Sequence, residues 1–415
     1  MDRTAMDLTI LIFVLVYVAM ALGGFPGFKV DRTGAAVIGA MAMMTTGAIA
    51  PEAAWQSVDF PSIAMLFGLM VVSAAFLVSG FYGWTARKVA AAQVSAPTLL
   101  AILIAVGGLL AAFLTNDVVA VAMTPLLMSI TLNRKLNPIP FLLGFCFAAN
   151  AGASRTIIGS PQNMIAAQKL NLSFAGVSEL TALPALLSLP IIWVVVSWLY
   201  RSRWELNQNQ DAKSPAQSTD ETPFSMPETI KAAVVALAVV VAFIFSPWPR
   251  ELIALTAAGV LLLSRRVSST DMLKQVDGDL ILLIMGLFVV NAAVSNTGLP
   301  QTLLSHLAHA GIDLQQPFTL FWVSSIVSNI VGNNPAVIML VPYLHSSGDA
   351  LYGAALSLGT HFSSNLLVFG SLAGIIMVER AKDYGFTISF GEFSRAGVVV
   401  TILTMAMAAV WLLVL

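Results

Sequence analysis

One segment of this chain is written twice. Residues 58–80 read VDFPSIAMLFGLMVVSAAFLVSG, and 218 positions later residues 276–298 read VDGDLILLIMGLFVVNAAVSNTG, identical at ten of the 23 aligned positions. Further on, Thr115-Asn116-Asp117 is answered 217 positions later by Gly332-Asn333-Asn334, and in both copies a proline follows the first asparagine by nine residues. Internal symmetry around polar interruptions of apolar segments marks a membrane chain built for alternating access, a secondary transporter.

Composition excludes most other classes. Hydrophobic residues make up 58% of the chain and charged residues 10%, with a mean hydropathy of +0.87. Several apolar runs reach the roughly 20 residues that a helix needs to cross about 30 Å of hydrocarbon. Alternating ten-residue strands are absent, which argues against an outer-membrane barrel. The first apolar segment has no small-residue cleavage site behind it and is read as retained. Net charge is near zero and there is no basic block, so nucleic acid is not an expected partner. Cys146 stands alone inside an apolar stretch and implies neither a disulfide nor a metal cluster. No P-loop, HExxH or Ser-His-Asp pattern is present, so neither an enzyme nor a cofactor is expected.

Crossings are expected over residues 8–24, 33–49, 60–79, an interrupted 141–169, and 181–200. The second half repeats them at 230–245, 251–263, 280–297, an interrupted 352–378, and 397–415. Residues 98–132 and 318–344 are too long for simple spans and break at TND and GNN. Lysine and arginine decide how these two segments run, because cytoplasmic loops carry the excess of positive charge. If both are re-entrant hairpins, 16 of the 20 basic residues fall on one side, Arg3, Lys169 and Arg250 fall on the other, and Arg155 stays within the membrane. If both cross fully, the split is nine against ten. The expected fold is therefore an all-α polytopic membrane protein with two inverted-topology repeats, each of five crossings (one broken) plus one re-entrant helical hairpin. The repeats are residues 1–205 and 230–415, joined by a polar cytoplasmic linker over 206–229. Both termini lie outside the cytoplasm, in the inner (plasma) membrane.

Unwound backbone at membrane depth is tolerated only where it is buried in protein or lines a cavity. The four polar loops are thus the candidate site: Thr115, Asn116 and Asp117; Asn150, Ser154, Arg155, Gly159, Ser160 and Asn163; Asn333 and Asn334; and Ser363, Ser364, Asn365, Gly370 and Ser371. A helix that starts at the midplane offers free N–H groups and a positive dipole end to an anion or an oxygen-rich solute. A helix that ends there offers carbonyls to a cation or proton donor. Asp117 is the single acid in the middle of an apolar segment, and its repeat mate Asn334 shows that the scaffold accepts an amide there. Two readings of it stay open: a proton-coupling carboxylate, or a static partner of Arg155. His361 is a candidate proton relay or a satisfied core histidine. Asp59 and Asp277 fit the stabilisation of helix N-termini.

At these residues the chain resembles the ion transporter superfamily of arsenical-resistance pumps, citrate and dicarboxylate carriers and sodium/proton exchangers. LTNDVVAVAMTP and SNIVGNNPAVIMLVP are similar to its two hairpins, and NAGASRTIIGSPQNM and FGSLAGIIM to its two broken-helix loops. Asn116-Asp117 and Asn333-Asn334 resemble the tips of the arsenical pumps, where dicarboxylate carriers place Ser-Asn-Thr; the NAGASRTIIGSPQN loop is closer to other anion permeases. The resemblance implies a proton-coupled antiporter exporting arsenite and antimonite, with Asp117 carrying the proton. The alternative is a proton- or sodium-coupled symporter of a small oxyanion or a di- or tricarboxylate. Implied partners are a small inorganic solute, protons and the lipid bilayer, with a homodimer as in many relatives and a soluble ATPase if the chain is an arsenical pump.

Overall fold

The computed structural model describes residues 3–25, 27–206, 223–345 and 348–415. Most of the expected linker, residues 207–222, lies outside the described residues. The first ten helices are α1 (Arg3–Leu22), α2 (Arg32–Thr45), α3 (Pro51–Ser57), α4 (Phe60–Val78), α5 (Phe81–Ala91), α6 (Ala96–Phe113), α7 (Asn116–Asn133), α8 (Pro138–Ala153), α9 (Pro161–Lys169) and α10 (Phe174–Leu199). Ten more follow: α11 (Met226–Phe245), α12 (Arg250–Leu262), α13 (Ser269–Leu273), α14 (Gly278–Ser295), α15 (Leu299–His309), α16 (Pro317–Val331), α17 (Asn333–Leu340), α18 (Ala350–Ser363), α19 (Leu372–Asp383) and α20 (Phe390–Val414). Short 3-10 turns follow α17 and precede α19. Among the described residues the protein is all-helical, and eight helices (α1, α4, α6, α7, α10, α11, α14 and α20) are long and apolar enough to cross a membrane. Leu237, Val241 and Phe245 of α11 are exposed, an apolar face suited to hydrocarbon.

The two sets of ten correspond helix by helix. α4 packs on α12 and α14 on α2; α6 packs on α8 and α16 on α18; α7 packs on α19 and α17 on α9. Each contact therefore recurs with the roles of the halves exchanged. Close approach enforces the first of these pairs. A Cβ on Gly68 would lie 2.5 Å from the Ala254 carbonyl carbon, and one on Gly286, 218 positions later, would lie 2.8 Å from that of Ala36. Only glycine lets these backbones touch.

Local chemistry sets the helix starts. Asp59 accepts from Ser62 N at 3.1 Å and Asp277 from Leu280 N at 2.9 Å, satisfying orphan donors of α4 and α14. α10 and α20 begin well before the apolar runs at 181–200 and 397–415. Ser173 accepts from Gly176 N at 3.2 Å and Ser389 from Glu392 N at 3.1 Å, so capping adds polar first turns that hydropathy does not register. α3, α5, α13 and α15, short helices between the spans, were likewise not among the expected elements.

Candidate functional site

All four polar loops break helices. α6 ends at Phe113, and Leu114 and Thr115 are extended before α7 restarts at Asn116. α16 ends at Val331 and α17 starts at Asn333, across Gly332 at φ +95°, a conformation that favours glycine. The breaks in the other pair run from Ser154 to Ser160, between α8 and α9, and from Ser364 to Ser371, between α18 and α19.

The two TND and GNN breaks meet. Asn116, Asp117, Gly332, Asn333 and Asn334 line one cavity of about 520 Å³, together with Gly370, Ser371 and Gln162. Asn116 is anchored by its backbone N–H, which donates to Gly159 O at 3.1 Å. The backbone N–H of Thr115 donates to Ser73 Oγ at 3.2 Å, so Thr115 braces the first tip against α4. The Oδ1 atoms of Asn116, Asn333 and Asn334 are buried without a hydrogen-bond partner among the described residues. Three buried amide acceptors left unpaired would be costly in a merely structural turn.

Asp117 makes no hydrogen bond or ion pair among the described residues, and the static pair with Arg155 is not formed. The Arg155 carbonyl instead accepts from Thr181 Oγ1 at 2.9 Å, and the side-chain Nε of Arg155 has no partner among the described residues. Arg155 does not line the cavity.

The broken crossings are tied together across the halves. Asn150 Nδ2 donates to Asn365 Oδ1 at 2.9 Å and to Ser371 Oγ at 3.1 Å, and Ser371 Oγ also accepts from Gly374 N at 3.0 Å. Asn163 Nδ2 braces its own break through Ala153 O at 3.0 Å and Thr156 O at 2.9 Å. Ser154, Ser363 and Ser364 donate to carbonyls one turn back, at 2.7, 3.3 and 2.8 Å. The hydroxyl of Ser160 and the amide nitrogen of Asn365 are buried and have no partner among the described residues. Of the sixteen candidates, Asn116, Asp117, Asn333, Asn334, Gly370 and Ser371 thus form the cavity wall. The others build the loops behind it.

Six charged or amide-bearing wall residues were not among the candidates: Gln162, Asp31, Arg32, Asp277, Asp279 and Glu379. Gln162 lay within the quoted SPQN loop. Asp277 read as a capping charge, and only tertiary packing of α2, α14 and α19 brings it to one mouth with Asp31, Arg32, Asp279 and Glu379. There five carboxylates, counting Asp117, face one guanidinium, that of Arg32.

A helical membrane protein whose paired helix breaks converge on one polar cavity belongs to the class of secondary transporters. The chain belongs to the CitMHS family, described as citrate transporters, whose signature matches residues 11–374. It is 28% identical over 432 residues to a 46 kDa membrane protein of Mycobacterium leprae, covering 98% of this chain and 97% of that one. It is 28% identical over 341 residues to the inner membrane protein YbiR of Escherichia coli K12, covering 80% and 83%. The fold is similar to that of Neisseria gonorrhoeae MtrF, described among antimetabolite efflux pumps, with a TM-score of 0.60 at 12% identity over 99% of this chain and 95% of that one. The protein is a multi-pass membrane protein and a secondary transporter of the citrate and anion permease family, not an enzyme.

Proposed function

We propose that the chain is a cation-coupled symporter of a small carboxylate or oxyanion, working by alternating access between inverted repeats at 1–205 and 230–415. The observation that carries this is the meeting of both asparagine tips in one cavity with their Oδ1 atoms unpartnered. α7 and α17 start at these tips, so their free N–H groups and dipole ends favour an anion. Asp117 and the unpaired amide oxygens favour a proton or sodium ion beside it. The site therefore offers both halves of a symport pair, and family membership supports a carboxylate over arsenite. A second reading, export of uncharged arsenous acid, draws on the lack of a cation partner for Asp117.

In this proposal α6–α7 and α16–α17 are hairpins entering from opposite faces. The cavity mouth, with Arg32, Asp277 and Glu379, lies on the side that carries the excess of lysine and arginine, so the protein faces inward. Uptake of labelled citrate, succinate, phosphate and arsenite into proteoliposomes under imposed proton or sodium gradients tests the reading. Accumulation of arsenite alone, driven outward by a proton gradient, would replace it with the second.

A further inference from the structure

We propose that Gln162 is a solute-binding residue of the cavity and that the charge state of His361 decides which end of its amide faces the solute. The inference rests on the cavity being the transport site.

His361, on α18, is fully buried. Its Nδ1 lies 2.8 Å from the Ser357 carbonyl oxygen, and a carbonyl only accepts. Nδ1 therefore carries hydrogen in both charge states, and Nε2 is the one ring atom whose protonation can change. In the neutral ring Nε2 is an acceptor, so Gln162 Nε2, 3.1 Å away, is the donor. Gln162 Oε1 then takes no hydrogen bond from the described residues, on a wall it shares with Asn116 and Asn334. It offers an acceptor to a solute hydroxyl or acid proton.

A proton added to the ring binds at Nε2 and makes it a donor. The ring now requires an acceptor, and a half-turn of the Gln162 amide supplies Oε1 to it. The NH2 group then faces the cavity, as a donor to a carboxylate or oxyanion. One proton thus converts this part of the wall from acceptor to donor. α18 packs against α8, α9, α10, α16, α17 and α20. Their titratable residues are Cys146, Lys169, Glu179, Glu392 and Arg395, and none of them hydrogen-bonds or ion-pairs with the ring. Asp117 shares the cavity wall with Gln162, and Arg155 stands in the loop ahead of α9.

Gln162→Met keeps the length of the side chain and removes both ends of the amide. In proteoliposomes its KM for citrate should rise about 5- to 10-fold, the loss of one hydrogen bond, and the pH dependence of KM should flatten while kcat changes less. A wild-type KM and pH profile in this variant would overturn the proposal. Two readouts do not depend on the solute. Histidine-labelled protein should show by NMR one ring protonated at Nδ1 and bare at Nε2 at neutral pH, a signal lost in His361→Asn. Gln162→Cys should be modified through the cavity by a water-soluble thiol reagent. If wild-type protein carries none of citrate, succinate, phosphate and arsenite, the transport reading falls and these two measurements decide this one: a proton on Nε2, or an unmodified cysteine, overturns it.

Discussion

Lys169 Nζ at the end of α9 stands 2.8 Å from Asp59 Oδ1 at the start of α4. The repeat counterpart of Asp59 is Asp277, 218 positions on, and that of Lys169 is Arg380, aligned through Gly159 with Gly370 and Ser160 with Ser371. Arg380 does not pair with Asp277; it lies 4.0 Å from Asp383, one turn along its own helix. The same contrast holds beside it. Gln168 Nε2 donates to Glu251 Oε2 at 3.0 Å, whereas the matching Glu379 faces the cavity. One face is latched and the equivalent face is open, the asymmetry that the proposed alternating access requires.

Breaking the latch should move the balance of states. Lys169 and Asp59 keep about a third and a sixth of their side-chain surface in solvent, so the pair is discounted to about 0.5–1 kcal/mol. Lys169→Ala or Asp59→Asn should raise the outward-facing population about 2- to 5-fold, and Asp277→Asn should lower it. Thiol accessibility of a cysteine placed at the outer face reads the change; equal accessibility in all three variants would refute the latch.

The asparagine tips should matter equally. Asn116→Ala and Asn333→Ala each remove a group that the solute or its cation is expected to meet, a loss of roughly 1–3 kcal/mol or about 5- to 150-fold in affinity. Concentration dependence of uptake checks this, and normal affinity in both variants at normal expression rules the tips out.

Asp117→Asn separates coupling from structure. No ion pair to Arg155 exists to be broken, so the variant should melt within a few degrees of the wild type. It should retain solute exchange and lose uptake driven by a pH gradient. Intact proton-driven uptake in this variant would falsify the coupling role of Asp117.

Gly68→Ala and Gly286→Ala should both destabilise the protein, because each Cβ would meet backbone atoms at under 3 Å. Overpacking of this kind costs about 1–3 kcal/mol. Thermal unfolding in detergent should show two similar losses. A neutral result at one site alone would mean that the two helix crossings are not equivalent.

Topology can be read by labelling. Asn133, the last residue of α7, and Gln316, just before α16, are exposed. A cysteine at 316 should react with an impermeant reagent from outside and one at 133 should not, against a low background because Cys146 is buried. Outside labelling at 133 would show that α6 and α7 together make one crossing rather than a hairpin.

The helix breaks and the polar tips were legible in the sequence because each is a local break in hydropathy. The repeat at 58–80 and 276–298 could be aligned by eye, and asparagine, glycine and aspartate in an apolar run have few bland uses. Capping at Ser173 and Ser389 was less visible, since a hydroxyl immediately ahead of a helix adds no apolar signal. The partners of those breaks were a matter for tertiary structure. Asp117 and Arg155 look like a natural pair in one dimension, yet packing places Asp117 on the cavity wall and turns Arg155 behind it. Gln162 and His361, 199 positions apart, meet only because α9 and α18 are brought together. Asp31, Asp277 and Glu379 come from three helices that share a mouth only once α2 and α14 pack. Hydropathy records the solvent each residue prefers; which polar groups share that solvent is set by helix packing, through contacts that no local pattern encodes.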